Sequence, residues 1–302
     1  MRDAPDYRWW RPAIGIVAVP LAMFVMVPVV LLPVLGLTVA LDHHGSFSAA
    51  YSAAAKLDPV TWQAMLYLNL TLAALVLVAW WIVRFVHGVR PRWLTSVAPG
   101  VRWKFFWACF GIALVAIGAQ LLVGSLLPSN PDDLGGPAHH VDGRLVGLAL
   151  VVLLSTPLQA MGEEYVFRGY LTQAFGALTR NPWFAILISS LLFALAHGVQ
   201  NAPLFLDRFT FGVMAGYVVL RTGGLEAGIA LHVWNNLVAF GLALAFGSID
   251  DSLKVSSVAW SNIILTATQN GVYLVLVLLV ARRMGLEPRR TVPVLPPAAA
   301  PV

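Results

Sequence analysis

The chain has 302 residues, of which 59% are hydrophobic and only 11% are charged, and its mean hydropathy is +0.79. Soluble domains carry roughly 25% charged residues, so this composition excludes a soluble globular protein and indicates a polytopic membrane protein. The net charge of +5 comes from basic residues divided among short loops and both ends of the chain, which is typical of membrane orientation and not of a nucleic-acid-binding groove. A single cysteine, Cys109, excludes an intrachain disulfide and a cysteine-based metal cluster.

A membrane-spanning helix needs about 20 apolar residues. Eight stretches of the chain reach or approach this length, which predicts an all-α transmembrane bundle of about eight spans. Pro20, Pro28 and Pro33 interrupt the first stretch and predict a kink or a break, because proline removes a helical hydrogen bond. The predicted spans cover residues 12–41, 61–86, 103–127, 145–174, 182–198, 204–220, 225–246 and 258–281.

The charges of the loops predict how the spans are oriented. Arginines are concentrated at the N-terminus, in the second loop, at Arg180, at Arg221 and in the tail, whereas the intervening loops carry most of the acids. Because cytoplasmic loops are enriched in basic residues, we predict a protein of the cell membrane with both termini in the cytoplasm. Residues 1–286 are predicted to form a single transmembrane domain with its motif-bearing core at about 145–246, and the Pro- and Ala-rich tail, 287–302, is predicted to be disordered and cytoplasmic.

A small group of polar and ionisable residues lies within the apolar runs. An ionisable side chain at membrane depth is costly and is by default a functional-site hypothesis. The histidine doublets at 43–44 and 139–140 fall in loops instead, and we interpret them as solvated. The intramembrane set consists of Glu163, Glu164, Arg168, His197, His232 and Asn236.

Helical spacing separates the two adjacent glutamates. Glu164 and Arg168 are four residues apart with the acid on the N-terminal side, the favourable orientation for an ion pair within a helix. Neighbouring helical residues differ in direction by about 100°, so we expect Glu163 to face a different point, in a cavity. His232 and Asn236 are also four apart and share a face.

These residue types suit the hydrolysis of an amide by either of two mechanisms. A glutamate and a histidine can activate a water molecule, while a second histidine and an asparagine can donate hydrogen bonds to the oxyanion. Alternatively, Glu163, His197 and His232 could bind zinc and leave a position for water. The residues alone leave both mechanisms open.

Three motifs occur in order on successive spans. Glu163 to Arg168 fits E-E-x-x-x-R, Phe193 to His197 fits F-x-x-x-H, and His232 to Asn236 fits H-x-x-x-N. Together they resemble the CAAX protease and bacteriocin-processing (CPBP) family of intramembrane endopeptidases, also called the abortive-infection (Abi) family. The resemblance covers residues 145–246, about a third of the chain.

The resemblance implies an intramembrane endopeptidase that acts on a membrane-associated peptide or protein. The family has often been labelled metalloprotease, whereas its eukaryotic members that cut prenylated proteins have been described as glutamate-dependent, so a zinc cofactor and a metal-free site both stay possible. The implied roles are activation of the attacking water by Glu163 and His197, oxyanion stabilisation by His232 and Asn236, and support by Glu164 and Arg168.

Two alternatives come from other functional classes. A proton-coupled transporter could use Glu163 and the histidines as a proton relay, although the chain shows no inverted repeat of the kind found in many transporters. A non-catalytic membrane scaffold or immunity protein could use the same fold. We interpret Phe193 as apolar packing in either case.

Depth along the helices predicts where the site lies. Glu163 and His197 are at similar distances from the sequence Arg180-Asn181-Pro182, so they would lie level with each other if spans 4 and 5 form one long hairpin that turns there. His232 follows its own turn at Gly223-Gly224 sooner, so we expect the seventh helix to start deeper in the protein. We therefore predict a catalytic cavity formed by spans 4, 5 and 7, within the membrane and open toward the cytoplasm.

Overall fold

A computed structural model describes residues 7–42, 45–127 and 138–289 of the chain. Over these ranges the protein is an all-α helical bundle, which confirms the predicted fold class. The helices are α1 (Trp10–Asp42), α2 (Phe47–Lys56), α3 (Trp62–Val86), α4 (Arg92–Thr95), α5 (Trp103–Leu126), α6 (Gly143–Thr179), α7 (Pro182–Leu195), α8 (Ala202–Thr222), α9 (Glu226–Phe246), α10 (Ile249–Leu253) and α11 (Asn262–Arg283).

Seven helices in the described part of the chain are long and apolar enough to cross a membrane, namely α1, α3, α5, α6, α8, α9 and α11. The remaining predicted span corresponds to α7, which is apolar but has only 14 residues. At 1.5 Å per residue α7 is about 21 Å long, less than the roughly 30 Å of a bilayer core. The prediction of about eight spans therefore corresponds to seven long helices and one short helix packed among them.

The prolines of α1 do not break it. The helix runs without interruption over 33 residues and contains a π-helical turn at Ala22–Met26, between Pro20 and Pro28. A wider turn of this kind redistributes hydrogen bonds around the carbonyls that a proline leaves without a donor. The predicted irregularity is present, but as a wider turn within a continuous helix.

The long hairpin predicted for spans 4 and 5 is confirmed. Helix α6 has 37 residues and is about 55 Å long, well beyond one bilayer thickness. It ends at Arg180, whose backbone is left-handed with φ of +60°. The side chain of Asn181 then accepts hydrogen bonds from the amides of Trp183 and Phe184, and Pro182 occupies the first turn of α7. An asparagine that caps a helix and a proline in the first helical turn are both favourable at these positions.

Helix α6 changes to π geometry over Tyr165–Leu171, immediately after the paired glutamates. All seven residues of this segment are buried. The carbonyl of Phe167 accepts hydrogen bonds from the hydroxyls of Thr172, at 2.8 Å, and Ser189, at 2.5 Å. Because Ser189 belongs to α7, the second bond fastens the two arms of the hairpin next to the glutamates. No sequence pattern predicted this segment.

Helix α9 begins inside the protein, as predicted. Residues 222–233 are all buried. Arg102 binds both carboxylate oxygens of Glu226, with Nε to Oε1 at 2.8 Å and Nη2 to Oε2 at 2.7 Å. Its Nη1 also donates to the carbonyl of Thr222 at 2.7 Å, and the amide of Leu225 donates to the carbonyl of Thr95. The segment that precedes α5 thus covers the start of α9.

Several loop predictions fall partly outside the described residues. His43 and His44 lie outside them, as does the predicted tail beyond residue 289. His139 and His140 are exposed, in agreement with the sequence, and the Nδ1 atom of His139 lies 3.0 Å from the carbonyl oxygen of Leu244 near the end of α9.

Candidate active site

The predicted ion pair between Glu164 and Arg168 is confirmed. Oε1 of Glu164 lies 2.9 Å from Nη1 of Arg168, and the two side chains are 0% and 2% exposed. The guanidinium also lies over the ring of Phe193, 4.0 Å from its centroid, and 5.2 Å from the centroid of Phe211. Arg168 is therefore held by a counter-charge and two aromatic rings at once, which fits a bracing role.

The two glutamates meet at one histidine. Nδ1 of His232 lies 2.9 Å from Oε1 of Glu164, and Nε2 of the same ring lies 3.3 Å from Oε2 of Glu163. The sequence analysis expected the two glutamates to face different points, and this is wrong because both contact the ring of His232. Because the two nitrogens of an imidazole are on different edges of the ring, carboxylates that diverge from neighbouring helix positions can both reach it.

His197 lies just beyond the last residue of α7. Its Nδ1 atom is 2.8 Å from the carbonyl oxygen of Phe193. A carbonyl can only accept, so Nδ1 carries the hydrogen of this bond, and in the neutral ring the lone pair is on Nε2. This tautomer suits a residue that accepts a proton through Nε2.

Asn236 lies one turn after His232 and connects α9 to α6. Its Nδ2 atom donates to Oε1 of Gln159 at 2.8 Å, and Gln159 lies one turn before Glu163. A carboxamide nitrogen has two hydrogens, so this bond leaves one Nδ2 hydrogen for another acceptor. The contact also fixes the height of α9 relative to α6.

One cavity of about 530 Å³ brings the predicted residues together. Glu163, His197, His232 and Asn236 all line it. Spans 4, 5 and 7 all contribute to its wall, the fifth through Phe193 and through His197 one turn later. Residues of α3, α5, α8, α11 and the segment between α9 and α11 complete the wall, so the cavity needs more of the bundle than the three motif-bearing spans.

The cavity extends in the direction opposite to the predicted one. On α9 its lining residues run from His232 to Leu242, and Ser252 to Val258 contribute beyond the end of that helix. None of the lining residues comes from the Arg180 turn or the Gly223-Gly224 turn. The cavity lining therefore lies away from the arginine-rich turns, whereas the prediction expected an opening on the side of those turns. The physical reason is that the α6–α7 hairpin and the Arg102 segment fill the arginine-rich side.

Phe193 does more than pack against apolar neighbours, because it also contacts polar residues of the predicted site. Its ring centroid is 4.7 Å from that of His197 and 5.8 Å from that of His232, in edge-on arrangements. It also carries the Arg168 guanidinium on its face. One aromatic ring thus contacts three of the predicted site residues. The spacing of Phe193 and His197 by one helical turn was the signal that could have indicated this contact.

Asp207 and Arg208 line the cavity but were not among the site residues predicted from the sequence, although they fall within the predicted span 204–220. They lie in the first two turns of α8, which begins after the capping residue Asn201, and both line the cavity. Nη1 of Arg208 donates to Oε1 of Gln200 at 2.7 Å, and the Asp207 carboxylate accepts a hydrogen bond from the hydroxyl of Thr266. Two charged residues within an apolar span were the signal that could have added them to the predicted site.

The side chains do not fit the zinc alternative as they are arranged. No group of three or more His, Cys, Asp or Glu residues in the described ranges could hold a metal ion. His232 directs its two nitrogens at the two carboxylates, and His197 uses Nδ1 for the carbonyl of Phe193. Glu163, His197 and His232 share a cavity but form no common ligand set.

Comparison with known proteins bears on the same region. Residues 145–238 match the family described as type II CAAX prenyl endopeptidase Rce1-like. The matched region is about a third of the chain and is similar to that family. The match contains all three motifs and confirms the resemblance that they predicted. At family level, the Rce1-like match supports a CAAX-type intramembrane endopeptidase.

Two curated proteins are similar to the chain over 167 residues. The uncharacterized protein YyaK of Bacillus subtilis (strain 168) is 30% identical, over 52% of this chain and 54% of that protein. The potassium-transporting ATPase potassium-binding subunit of Desulfovibrio desulfuricans (strain ATCC 27774 / DSM 6949 / MB) is 29% identical, over 48% of this chain and 27% of that protein. The chain thus spans about half the length of the first relative and about a quarter of the second. No solved structure matches the chain.

Proposed function

We propose that the protein is an intramembrane endopeptidase that hydrolyses a peptide bond in a membrane-associated protein or peptide. The observation that carries the proposal is the cavity of about 530 Å³ that Glu163, His197, His232 and Asn236 line together. Its volume is within the roughly 300–1,000 Å³ of pockets that bind small ligands. Polar residues of these types inside an apolar bundle are costly unless they have a function.

Glu163 and His197 would activate the attacking water. The Glu163 carboxylate accepts a proton from the water as its oxygen attacks the carbonyl carbon of the substrate. His197, with Nδ1 held by the carbonyl of Phe193, presents Nε2 as a second acceptor for the water. When the carbon–nitrogen bond breaks, Glu163 returns the proton to the leaving amine. Water is thus divided between the two products, and no cofactor is consumed.

His232, through Nε2, and Asn236 would stabilise the oxyanion. Nε2 is the available nitrogen, because its 3.3 Å contact with Oε2 of Glu163 does not have the geometry of a hydrogen bond. They lie one turn apart on α9 and both line the cavity. Glu164 accepts a hydrogen bond from Nδ1 of His232 at 2.9 Å and thereby fixes the orientation of the ring. Asn236 keeps one amide hydrogen beyond its bond to Gln159. Donors fixed in advance by such contacts stabilise a developing negative charge effectively.

We further propose that the protein lies in the cell membrane with both termini in the cytoplasm, on the basis of the alternating loop charges. In this orientation the cavity extends from Glu163 toward the non-cytoplasmic side. The substrate would then be a membrane-anchored segment that enters from that half of the bilayer. The lipid bilayer and this substrate are the proposed partners, and no nucleic acid is among them.

A comparison of membrane proteomes tests the proposal. Cells that carry the intact protein and cells that carry a Glu163→Ala variant would be compared for new peptide ends. We expect a set of ends that is present with the intact protein and lost with the variant at equal expression. Identical sets of ends would contradict the proposal. Metal analysis of the purified protein, before and after chelation, would test the zinc alternative separately.

Two other results would support the alternative functions. Proton-driven uptake into proteoliposomes that is lost with Glu163→Ala would favour the transporter. A cellular phenotype that survives the loss of both His197 and His232 would favour the scaffold, because a scaffold needs only the fold.

A further inference from the structure

Helix α11 carries a row of polar side chains along its buried face, although its length and composition suit a membrane span. Thr266, Gln269, Asn270 and Tyr273 are all buried and recur at helical spacing, so they face one side of the helix. The first three also line the cavity. Polar side chains at membrane depth are costly, and they either bond a neighbouring helix or mark a functional site.

Three of these side chains join α11 to its neighbours. The hydroxyl of Thr266 donates to a carboxylate on α8. Nε2 of Gln269 donates to Oδ1 of Asn235 on α9 at 2.8 Å, and the hydroxyl of Tyr273 donates to the carbonyl of Ala227 near the start of α9 at 2.7 Å. Contacts between helices therefore explain why these three residues are polar.

Asn270 is not explained in this way. Its side chain is only 8% exposed, and its Oδ1 atom has no hydrogen-bond partner among the residues that the structure describes. A buried acceptor without a donor costs free energy until a ligand supplies the donor. Because Asn270 lines the cavity, a ligand bound there could supply it.

Asn270 lies on the part of the wall that faces the proposed oxyanion residues. The bond between Gln269 and Asn235 holds α11 against α9 at this level, and Asn235 adjoins Asn236 in the chain. From Asn262 to Asn270 the lining of α11 extends for about 12 Å along the helix. An extended peptide rises about 3.3 Å per residue, so about four residues of an extended strand fit along this wall.

The chemistry of a carboxamide favours a backbone peptide bond as its ligand. A carboxamide offers an acceptor oxygen and a donor nitrogen, and a peptide bond presents the complementary N–H and C=O groups. The ester and phosphodiester oxygens of a lipid can only accept. The ammonium of an ethanolamine headgroup is therefore the competing lipid source of a donor for Oδ1 of Asn270.

We propose that Asn270 is a specificity-determining residue that pairs its carboxamide with one backbone peptide bond of the substrate. The substrate would then enter the cavity as an extended strand, because the backbone groups inside a helix are already bonded to each other. This inference rests on the proposed endopeptidase function and names the substrate group that the wall recognises. Helix α11 lies outside the matched residues 145–238, so the contact would be a property of this chain.

A series of backbone substitutions tests the contact without requiring cleavage. The Glu163→Gln protein in lipid nanodiscs would first select a binder from pooled N-acylated hexapeptides. That peptide would then be synthesised with each backbone amide in turn replaced by an ester, which removes one N–H and keeps the carbonyl. The loss of one hydrogen bond corresponds to about a 10-fold loss of affinity. We expect one ester position to weaken binding by about this factor, and this effect to disappear with Asn270→Leu.

Controls distinguish the contact from a general effect on α11. Thr268→Val is the matched control, because its hydroxyl bonds the carbonyl of Ile264 within the same helix, and it should keep the effect of that ester. In thermal unfolding, Asn270→Leu should keep or raise the unfolding temperature, since it removes an acceptor without a partner. Gln269→Leu should lower it, because the bond to Asn235 is lost. Asn270→Ala serves as the test if Asn270→Leu does not fold.

Three outcomes would overturn the proposal. They are equal binding of all the ester peptides by the protein with Asn270 intact, an undiminished effect of the same ester in Asn270→Leu, and displacement of the peptide by short-chain phosphatidylethanolamine, but not by phosphatidylcholine, that is lost in Asn270→Leu. The last result would assign Asn270 to a lipid headgroup.

The same variants separate this inference from the proposed function. An ester effect that depends on Asn270, combined with no cleavage that depends on Glu163 in the otherwise unmodified protein, would uphold the binding contact and reject the endopeptidase. Cleavage that depends on Glu163 and is unchanged in Asn270→Leu would uphold the endopeptidase and reject the contact.

Discussion

At the scale of single residues, contacts assign different tasks to two adjacent glutamates. Glu164 is fully buried and contacts both Arg168 and His232. Glu163 contacts His232 from the other edge of its ring and lines the cavity. One carboxylate therefore holds the charged groups in place, and the other is available to a bound substrate.

The first prediction contrasts Glu163→Gln with Glu164→Gln. Glu163→Gln should lower the cleavage rate by roughly 100-fold or more, as expected for a lost general base, with little change in stability. Glu164→Gln should lower the free energy of unfolding by about 3–5 kcal/mol, because Arg168 would stay buried without its counter-charge. Thermal and denaturant unfolding in detergent, together with a cleavage assay, would measure both. A stable Glu164→Gln protein alongside an unfolded Glu163→Gln protein would reverse the assignment.

At the scale of elements, the α6–α7 hairpin positions His197 relative to Glu163. The turn at 180–182 is determined by local residues, but the two arms are joined by contacts that span many residues. The hydroxyl of Ser189 bonds the carbonyl of Phe167 within the π segment, and the rings of Phe167 and Phe193 are 5.2 Å apart. Because Phe193 and His197 lie one turn apart, these contacts also fix His197.

The second prediction concerns the hydroxyl that joins the hairpin. Ser189→Ala should lower the free energy of unfolding by about 1 kcal/mol and also reduce cleavage, since α7 would lose a bond to α6. Ser190→Ala is the matched control, because its hydroxyl bonds only the carbonyl of Ile186 on the same helix, and it should have the smaller effect. Unfolding curves and cleavage rates of the two variants would measure whether Ser189→Ala has the larger effect. Equal effects would show that the contact across the hairpin contributes nothing specific.

The third prediction concerns the close approach of α3 to α6. A Cβ atom on Gly162 would lie 2.0 Å from the carbonyl oxygen of Leu72, which is backbone and cannot move alone. Gly162→Ala should therefore displace α3 next to Glu163 and lower stability by roughly 1–3 kcal/mol or more. Gly147→Ala on the same helix is the control, because the nearest atom to its Cβ is Trp62 Cδ1 at 3.9 Å. Similar unfolding temperatures for both variants would contradict this packing.

At the scale of the whole molecule, the direction of the cavity relative to the arginine-rich turns is the main consequence of the fold. The start of α9 is buried beneath the segment that carries Arg102, and the end of the α6–α7 hairpin occupies the same side. The cavity therefore extends toward Ser252 and Val258. The loop charges predict that this side of the protein faces away from the cytoplasm.

The fourth prediction tests this orientation by thiol labelling. In a Cys109→Ala background, Lys254→Cys would report the cavity side and Thr179→Cys the hairpin turn, since both positions are exposed. A membrane-impermeant maleimide should label the Lys254→Cys protein in intact cells. It should label the Thr179→Cys protein only after the membrane is permeabilised. The reverse labelling pattern would indicate the opposite orientation in the membrane, with the cavity on the cytoplasmic side.

Some features could be predicted from the sequence because they depend on neighbouring residues. The Glu164–Arg168 ion pair follows from a spacing of four on one helix. The turn at 180–182 follows from the capping chemistry of Asn181 and the position of Pro182. The long apolar runs made the helical class certain for the same reason, since a helix satisfies its backbone within one segment. The residues, spacing and order of the three motifs predicted the region that the family model matches.

Other features depended on residues far apart in the chain, and only the tertiary structure decided them. His232 lies between both glutamates because α9 starts inside the bundle and packs against α6, 68 residues away for the Glu164 contact. Arg208 lines the cavity because α7 is short and α8 begins level with the site. The position of the cavity depends on which end of the helical bundle is covered by neighbouring segments of the chain. Periodicity and loop charge describe each segment separately, so they could not predict these contacts between segments.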